Sequence, residues 1–400
     1  MQTNLAERYV VLVRPVPGET AWMRATRLPQ PPQGTLRPAK RANVMDNDGG
    51  DVVACMVKSQ TPILLHQVVD VVGVLSFEDD SFVTDPELAS HVGRDVPRLY
   101  ALTVQTTALH RNPPFVPDWQ GARSTLLAML AADLLQGDKL AAEFLLLSLV
   151  SSVVKRPVED MAVGKITLAL TQVASAAALV EGLEHVVASL VKLEVSPKAL
   201  CARGLEPVKN AATNRLDAGA LQLADGTAVV IDETTLAEGA LDAVGLRNVK
   251  ALQRLATAQT VAYDFGYFAR QQPVDVNVIV AASGRASIVP CDVYVPLRPS
   301  QAQSGSALAL MGPARLNECR AFLVKARDAY ASVDLRSDVA GEIENCFVEQ
   351  RKANASSASE EALHLWISLA RAVSASQGSP VITSEAFQRA MALDLQRRLR

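Results

Sequence analysis

A chain of 400 residues that is 49% apolar and 20% charged has enough to bury to form roughly two or three globular domains. Its formal net charge of -3 gives no general attraction to nucleic acid or to an anionic membrane, and an aromatic share of 4% leaves alanine, valine and leucine to build the core. Five scattered cysteines without a CxxC pair (Cys55, Cys201, Cys291, Cys319 and Cys346) argue against a disulfide framework or a zinc site and read as small buried apolar residues.

In chain order, residues 1–27 begin with an expected strand at Tyr9 to Val13, closed by the turn-forming Pro15-Val16-Pro17-Gly18. That apolar run is too short for a secretory signal, and Glu7 precedes it. Residues 28–50 hold almost nothing to bury and read as a linker, with Arg37, Lys40 and Arg41 as a solvated basic cluster. Within 51–112, strands are expected at Val52 to Lys58, Val68 to Phe77 and Leu99 to Leu109, with a kink at Gly73. This fits a small β-rich domain of the oligonucleotide-binding (OB) type, although Tyr9, Phe77 and Tyr100 are too dispersed for a base-stacking platform.

Pro113, Pro114 and Pro117 punctuate the boundary to a third section, residues 119–304. Leu126, Leu127, Leu130 and Leu134 recur at helical spacing, and an apolar helix follows Gly137-Asp138 from Leu140 to about Val154. The longest apolar block, Phe144 to Val154, falls short of the roughly 20 residues of a membrane-spanning helix. Strand and helix then alternate: a strand at Lys165 to Leu170, a helix at Ala176 to Leu190, a strand around Val229, a helix at Val249 to Ala258 and a strand at Val274 to Ala282. Such alternation predicts an α/β fold with a parallel sheet and helices on both faces. Residues 313–400 read as a helical domain with helices at Arg315 to Ala331, Asp338 to Arg351, Ser359 to Val373 and from about Thr383 to the basic Arg397, Arg398 and Arg400.

The chemistry centres on Ala228-Val229-Val230-Ile231, which ends in Asp232-Glu233, as does a doubly buried strand that delivers carboxylates to a ligand crevice. A phosphate loop would need glycines, a lysine and a Ser or Thr in the turn after the Lys165 strand. That turn reads Thr171-Gln172-Val173-Ala174-Ser175, without glycine or lysine, while Gly164-Lys165 opens the strand instead of following it. Tight ATP binding is therefore not expected, and the acids read as a structural remnant. His66, His91, His110, His185 and His364 show no metal-ligand spacing.

Collinear phrases from residue 8 to 395 resemble the minichromosome maintenance (MCM) complex-binding protein family: RPVPGETAW, DVVGVLSF, GDKLAAEFLLLSLVSSV, VGKITLAL, NRLDAGALQLADGTAVVIDET, GLRNVKALQRL, YDFGYF and VDVNVIVAASGRASIVPCDV. The resemblance implies a degenerate AAA+-like core with a helical lid, related to the MCM ATPases. VVIDET resembles their magnesium-binding (Walker B) strand, with Asp232 and Glu233 matching its acids. Ser283 stands where an Asn would position water, Pro290 where an arginine finger would be, and Glu361 where a second phosphate-sensing arginine would be. The cations that offset charge in phosphoryl transfer are thus missing, and an arginine finger alone is worth about 10³ to 10⁵ in rate.

The resemblance further implies a nuclear, non-catalytic protein without a cofactor or small-molecule substrate. It would bind MCM subunits, influence their supply and removal from chromatin, and support sister-chromatid cohesion. Relative to that family the chain starts close to its tyrosine-valine strand, so the first module is expected to be built differently or to lack its first part. A rival reading, a weak nucleotide-dependent ATPase or DNA-binding remodelling factor, rests on Asp232-Glu233 alone.

Overall fold

The computed structural model describes residues 9–27, 55–76, 98–107, 115–157, 161–211, 215–300, 306–353 and 359–400. The expected linker at 28–50 lies outside them, as do His91 and His110.

Strand β1 (Tyr9–Val13), helix α1 (Ala21–Arg27) and strands β2 (Cys55–Ser59), β3 (Val68–Ser76) and β4 (Arg98–Thr107) form the first layer. The sheet runs β1-β2-β4-β3, so the opening strand joins the strands that follow the linker. Among the described residues it is an open row, and closure into an OB barrel is not seen. The expected kink is real: the β3–β4 register shifts between Val72 and Gly73. A Cβ on Gly73 would lie 2.1 Å from the Tyr100 carbonyl oxygen, so only glycine lets the bulged strand approach its neighbour.

Residues 17–22 then strap this layer to the rest of the molecule. Leu190 donates its N–H to the Gly18 carbonyl at 2.9 Å, and the Trp22 indole donates to the Val187 carbonyl at 3.0 Å. The Arg320 guanidinium lies over the Trp22 ring, 4.2 Å from its centroid.

Helix α2 (Trp119–Met129) continues into a π-helical turn, Leu130–Leu134, and helix α3 (Lys139–Val150) follows. Then come β5 (Leu168–Thr171), α4 (Ala177–Glu184), β6 (Leu190–Glu194), α5 (Pro197–Ala202), β7 (Val208–Asn210), β8 (Arg215–Asp217), β9 (Ala228–Glu233), α6 (Ala243–Ala258), β10 (Thr260–Asp264), β11 (Ala269–Pro273), β12 (Asn277–Ala282) and β13 (Val293–Pro296). The central sheet, β13-β5-β12-β9-β6, is parallel throughout. Counting only its own strands in chain order, it runs 5-1-4-3-2. A smaller sheet, β11-β10-β7-β8, flanks it.

Strand β9 is buried along its whole length, and its side chains alternate between two cores. Ala228 and Val230 pack with α2, α3, α4 and the C-terminal helices, whereas Val229 and Ile231 pack with α5, α6 and β10. Helices therefore cover both faces, as the alternation predicted.

Several boundaries differ from the sequence reading, each for a local reason. The helix expected to reach Leu190 ends at Glu184, where Val186 N–H closes onto Leu183 O, and Leu190–Glu194 is an edge strand paired with β9. Strand β5 starts at Leu168 because Lys165 and Thr167 are held by Asp292: Nζ lies 2.8 Å from the carboxylate, and Thr167 N–H donates to it at 2.8 Å. Helix α6 starts six residues earlier than expected because Asp242 caps it through Gly245 N–H at 2.7 Å. Strand β12 starts at Asn277, since Val276 N–H is taken by the Gln259 side chain at 2.8 Å. The smaller sheet and β13 had not been foreseen.

The C-terminal section contains α7 (Ala307–Leu310), α8 (Pro313–Tyr330), α9 (Ser337–Ala353), α10 (Glu360–Gln377) and α11 (Ser384–Arg398). Phe322, Tyr330, Trp366 and Phe387 belong to the same buried cluster as Phe144, Leu168 and Val230, so this helical cap shares a core with one face of the sheet. The arginines at its end are ion-paired: Arg397 and Arg398 with buried Asp394, and Arg400 with buried Asp138. Among the described residues no helix is long and apolar enough to cross a membrane.

Candidate functional site

Strand β9 delivers Asp232 and Glu233 to the C-terminal edge of the parallel sheet, but to opposite faces of it. By alternation Asp232 shares the side of Val230 and Glu233 that of Ile231. Both residues are buried, with 3% and 2% of their surface exposed, so each charge needs a partner.

Asp232 finds a cation on the neighbouring strand. Its Oδ2 lies 2.8 Å from Lys192 Nζ of β6, and its Oδ1 accepts from Thr234 N–H at 3.0 Å and from Thr234 Oγ1 at 2.6 Å. Burial alone would push its pKa up, but Lys192 and Thr234 outweigh that and hold it below the usual aspartate range. Glu233 has only neutral donors: Ser287 Oγ at 2.9 Å and a long contact from Ile288 N–H at 3.4 Å. Burial dominates there and raises its pKa, with Ser287 and the Ile288 and Val289 backbone opposing in part.

The turn after β5 lies along the same edge of the sheet, and two of its backbone donors are engaged. Gln172, in the left-handed region at φ 61°, donates its N–H to Gly284 O at 3.1 Å, and Val173 donates to Ala282 O at 2.9 Å. At the start of helix α4 the N-cap residue, Ala176, has no capping side chain, and Ser175 Oγ accepts from Ala177 N–H at 3.2 Å.

Ser283 is exposed immediately after β12, whose last residue, Ala282, pairs in register with Glu233. Pro290 is exposed between Val289 and Cys291, in the segment that Glu233 holds through Ser287. These positions gather around the strand ends. Glu361 does not join them on any contact seen here: it is exposed in the first turn of α10, which packs on α3, α8 and α11.

Lys192, Thr234 and Ser287 were missed from sequence. Lys192 was hidden because the apolar run of the preceding helix continues through Val186-Val187 into its strand; a lone lysine in Leu190-Val191-Lys192-Leu193-Glu194 was the available signal. The cysteine reading also needs correction: Cys319 is buried, but Cys55, Cys201, Cys291 and Cys346 are only partly so, and all are free thiols.

These residues do not fit a magnesium nucleotide. Magnesium seeks oxygen ligands with open coordination positions, yet both Asp232 oxygens are engaged, one of them by an ammonium group. Phosphates seek free N–H groups, and those of Gln172 and Val173 are spent on carbonyls. Among the described residues no three His, Cys, Asp or Glu side chains gather to hold a metal. An open cleft of about 530 Å³ lies elsewhere, between Trp119, Lys325, Gly378 and Pro380.

Fold and site together define an α/β protein with a five-stranded parallel sheet whose strand-end acids are neutralised or buried by the chain's own groups. Residues 41–400 match the mini-chromosome maintenance replisome factor family, and the chain belongs to it. It is 30% identical over 399 residues to the mini-chromosome maintenance complex-binding protein of Mus musculus, covering 87% of this chain and 61% of that one. It is 35% identical over 323 residues to the Danio rerio protein of the same name, covering 75% and 50%. With the Arabidopsis thaliana protein it shares 30% identity over 378 residues, covering 87% and 62%. The chain thus spans half to about three-fifths of these relatives, which are named as binding proteins rather than enzymes.

Proposed function

We propose that this chain is a non-catalytic binding partner of MCM helicase subunits. It would act in the nucleus during DNA replication, as a chaperone in MCM assembly or unloading, with chromatin contact made through MCM and with a consequence for sister-chromatid cohesion. The relatives' name supports the choice of partner. The 5-1-4-3-2 strand order, in which AAA+ ATPases arrange their core sheet, supports descent from such a core. Asp232, Glu233, Ser283, Pro290 and Glu361 would then be degenerate forms of its magnesium, sensor and finger positions.

The observation that carries the non-catalytic reading is the pairing of Asp232 with Lys192 beside a turn in which the Gln172 and Val173 N–H groups are already bonded. A shell of this kind keeps the outline by which ATPase subunits pack side by side while lacking the cations of phosphoryl transfer.

Affinity purification of the tagged chain, with identification of what it retains, tests the partner; MCM subunits are expected, and their absence would refute it. Titration calorimetry with ATP and magnesium tests the rival ATPase reading. Micromolar binding that Asp232→Ala abolishes would establish the rival.

A further inference from the structure

We propose that Lys192 is a tethered counter-ion at Asp232, standing where a bound cation would otherwise be required, so that the crevice is liganded by the chain itself and keeps its shape without nucleotide. This rests on the non-catalytic reading above and goes beyond it: the surface offered to a partner would be the same with and without ATP.

The strand register, the ion pair and the contacts around it carry the inference. In the β6–β9 ladder Lys192 lies opposite Val230 and Glu194 opposite Asp232. Lys192 therefore projects on the same face as Asp232, one diagonal step away, and its four-carbon stem spans that step to 2.8 Å. Asp232 is almost wholly buried, whereas the Lys192 side chain is 43% exposed, so the pair resembles a cation reaching in from solvent more than a sealed salt bridge. Across the crevice, the Gly284 and Ala282 carbonyls occupy the N–H groups of Gln172 and Val173, and Glu233 holds the same loop at Ser287. A lone carboxylate in so buried a place needs compensating positive charge, and removing Lys192 leaves a vacancy that a mobile cation can enter.

The full chain, Lys192→Met, Asp232→Asn and the double variant are compared by thermal unfolding, with chelator or with millimolar MgCl2 or MnCl2, and with or without ATP. The wild-type midpoint should be indifferent to both additions. Lys192→Met should fall by several degrees in chelator and recover in part with Mg²⁺ or Mn²⁺. The double variant should be more stable than Lys192→Met and insensitive to metal.

A Lys192→Met protein as stable as wild type, or destabilised but unresponsive to metal, overturns the proposal. So does a wild type that gains stability from magnesium and ATP. Should Lys192→Met fail to fold, the double variant decides: recovery of folding supports the pairing and failure refutes it. MCM capture is scored separately, so a wild type that retains no MCM subunit defeats the partner assignment and leaves these thermal results standing.

Discussion

Arg327 of α8 donates to the Asp275 carboxylate just before β12 at 3.0 Å, and this contact joins the helical cap to the sheet. The same guanidinium reaches the Asn277 side-chain oxygen at 2.7 Å and the Ser151 carbonyl at the end of α3. Asp275 in turn accepts from Val153 N–H at 3.1 Å. With the Arg327 side chain 15% exposed and that of Asp275 28% exposed, the pair is largely shielded yet still partly wet. Replacing Arg327 by methionine should therefore lower stability by about 2–3 kcal/mol, below the range for breaking a sealed pair. Urea unfolding followed by tryptophan fluorescence checks this, and an unchanged midpoint would mean that the cap is held by apolar packing alone.

The strand-end acids should respond to pH in opposite senses. Asp232 is held below the ordinary aspartate range, so its stabilising contribution is complete above that range and is lost as pH falls through its depressed value. Glu233 is raised, so the folded state binds its proton more readily than the unfolded chain does, and stability falls as pH climbs through the interval above the usual glutamate value. Glu233→Gln should raise the thermal midpoint at neutral pH and flatten the profile there. Asp232→Asn should flatten only the acid limb. Calorimetric scans from about pH 3 to about pH 8 separate the two; identical profiles for both variants would contradict the assignment.

Asp138 combines a helix cap with an ion pair. Its Oδ1 accepts from Leu140 and Ala141 N–H at 3.0 and 3.1 Å, its Oδ2 accepts from Arg298 N–H at 2.9 Å, and the Arg400 guanidinium binds the same carboxylate. Asp138→Ala removes the cap and strands a cation, with an expected loss of about 2–4 kcal/mol. Asp138→Asn retains the capping oxygen and should lose less. Equal losses in denaturant titrations would show that the charge is irrelevant.

Gly73 has no room for a side chain. Its Cβ would meet the Tyr100 carbonyl at 2.1 Å, and backbone cannot yield as a flexible side chain does. Gly73→Ala should destabilise the first sheet by about 1–3 kcal/mol. Hydrogen exchange should then accelerate in β3 and β4 while β9 stays protected, and an unchanged exchange pattern would disprove the close approach.

Much of this is legible in the sequence. The apolar run into Asp232-Glu233 marked the buried central strand, because only a strand covered on both faces dispenses with polar alternation. Gly73 marked the bulge, Gly137-Asp138 marked the start of α3, and the missing glycine and lysine of 171–175 marked a turn unsuited to phosphate. These signals are local, and the neighbours they require lie within a few residues.

What sequence alone determined is the class of fold, its helical cap, its family resemblance and the lack of glycine and lysine in the turn after β5, since periodicity and short phrases carry each of these. Tertiary structure alone decided that Lys192, 40 residues before Asp232, would neutralise it, that Ala282 and Gly284 would close the turn after β5, and that Glu361 would sit in another layer. Parallel strands are joined by long crossovers, so which residues meet across them depends on strand order and register, and no run of neighbouring residues encodes that.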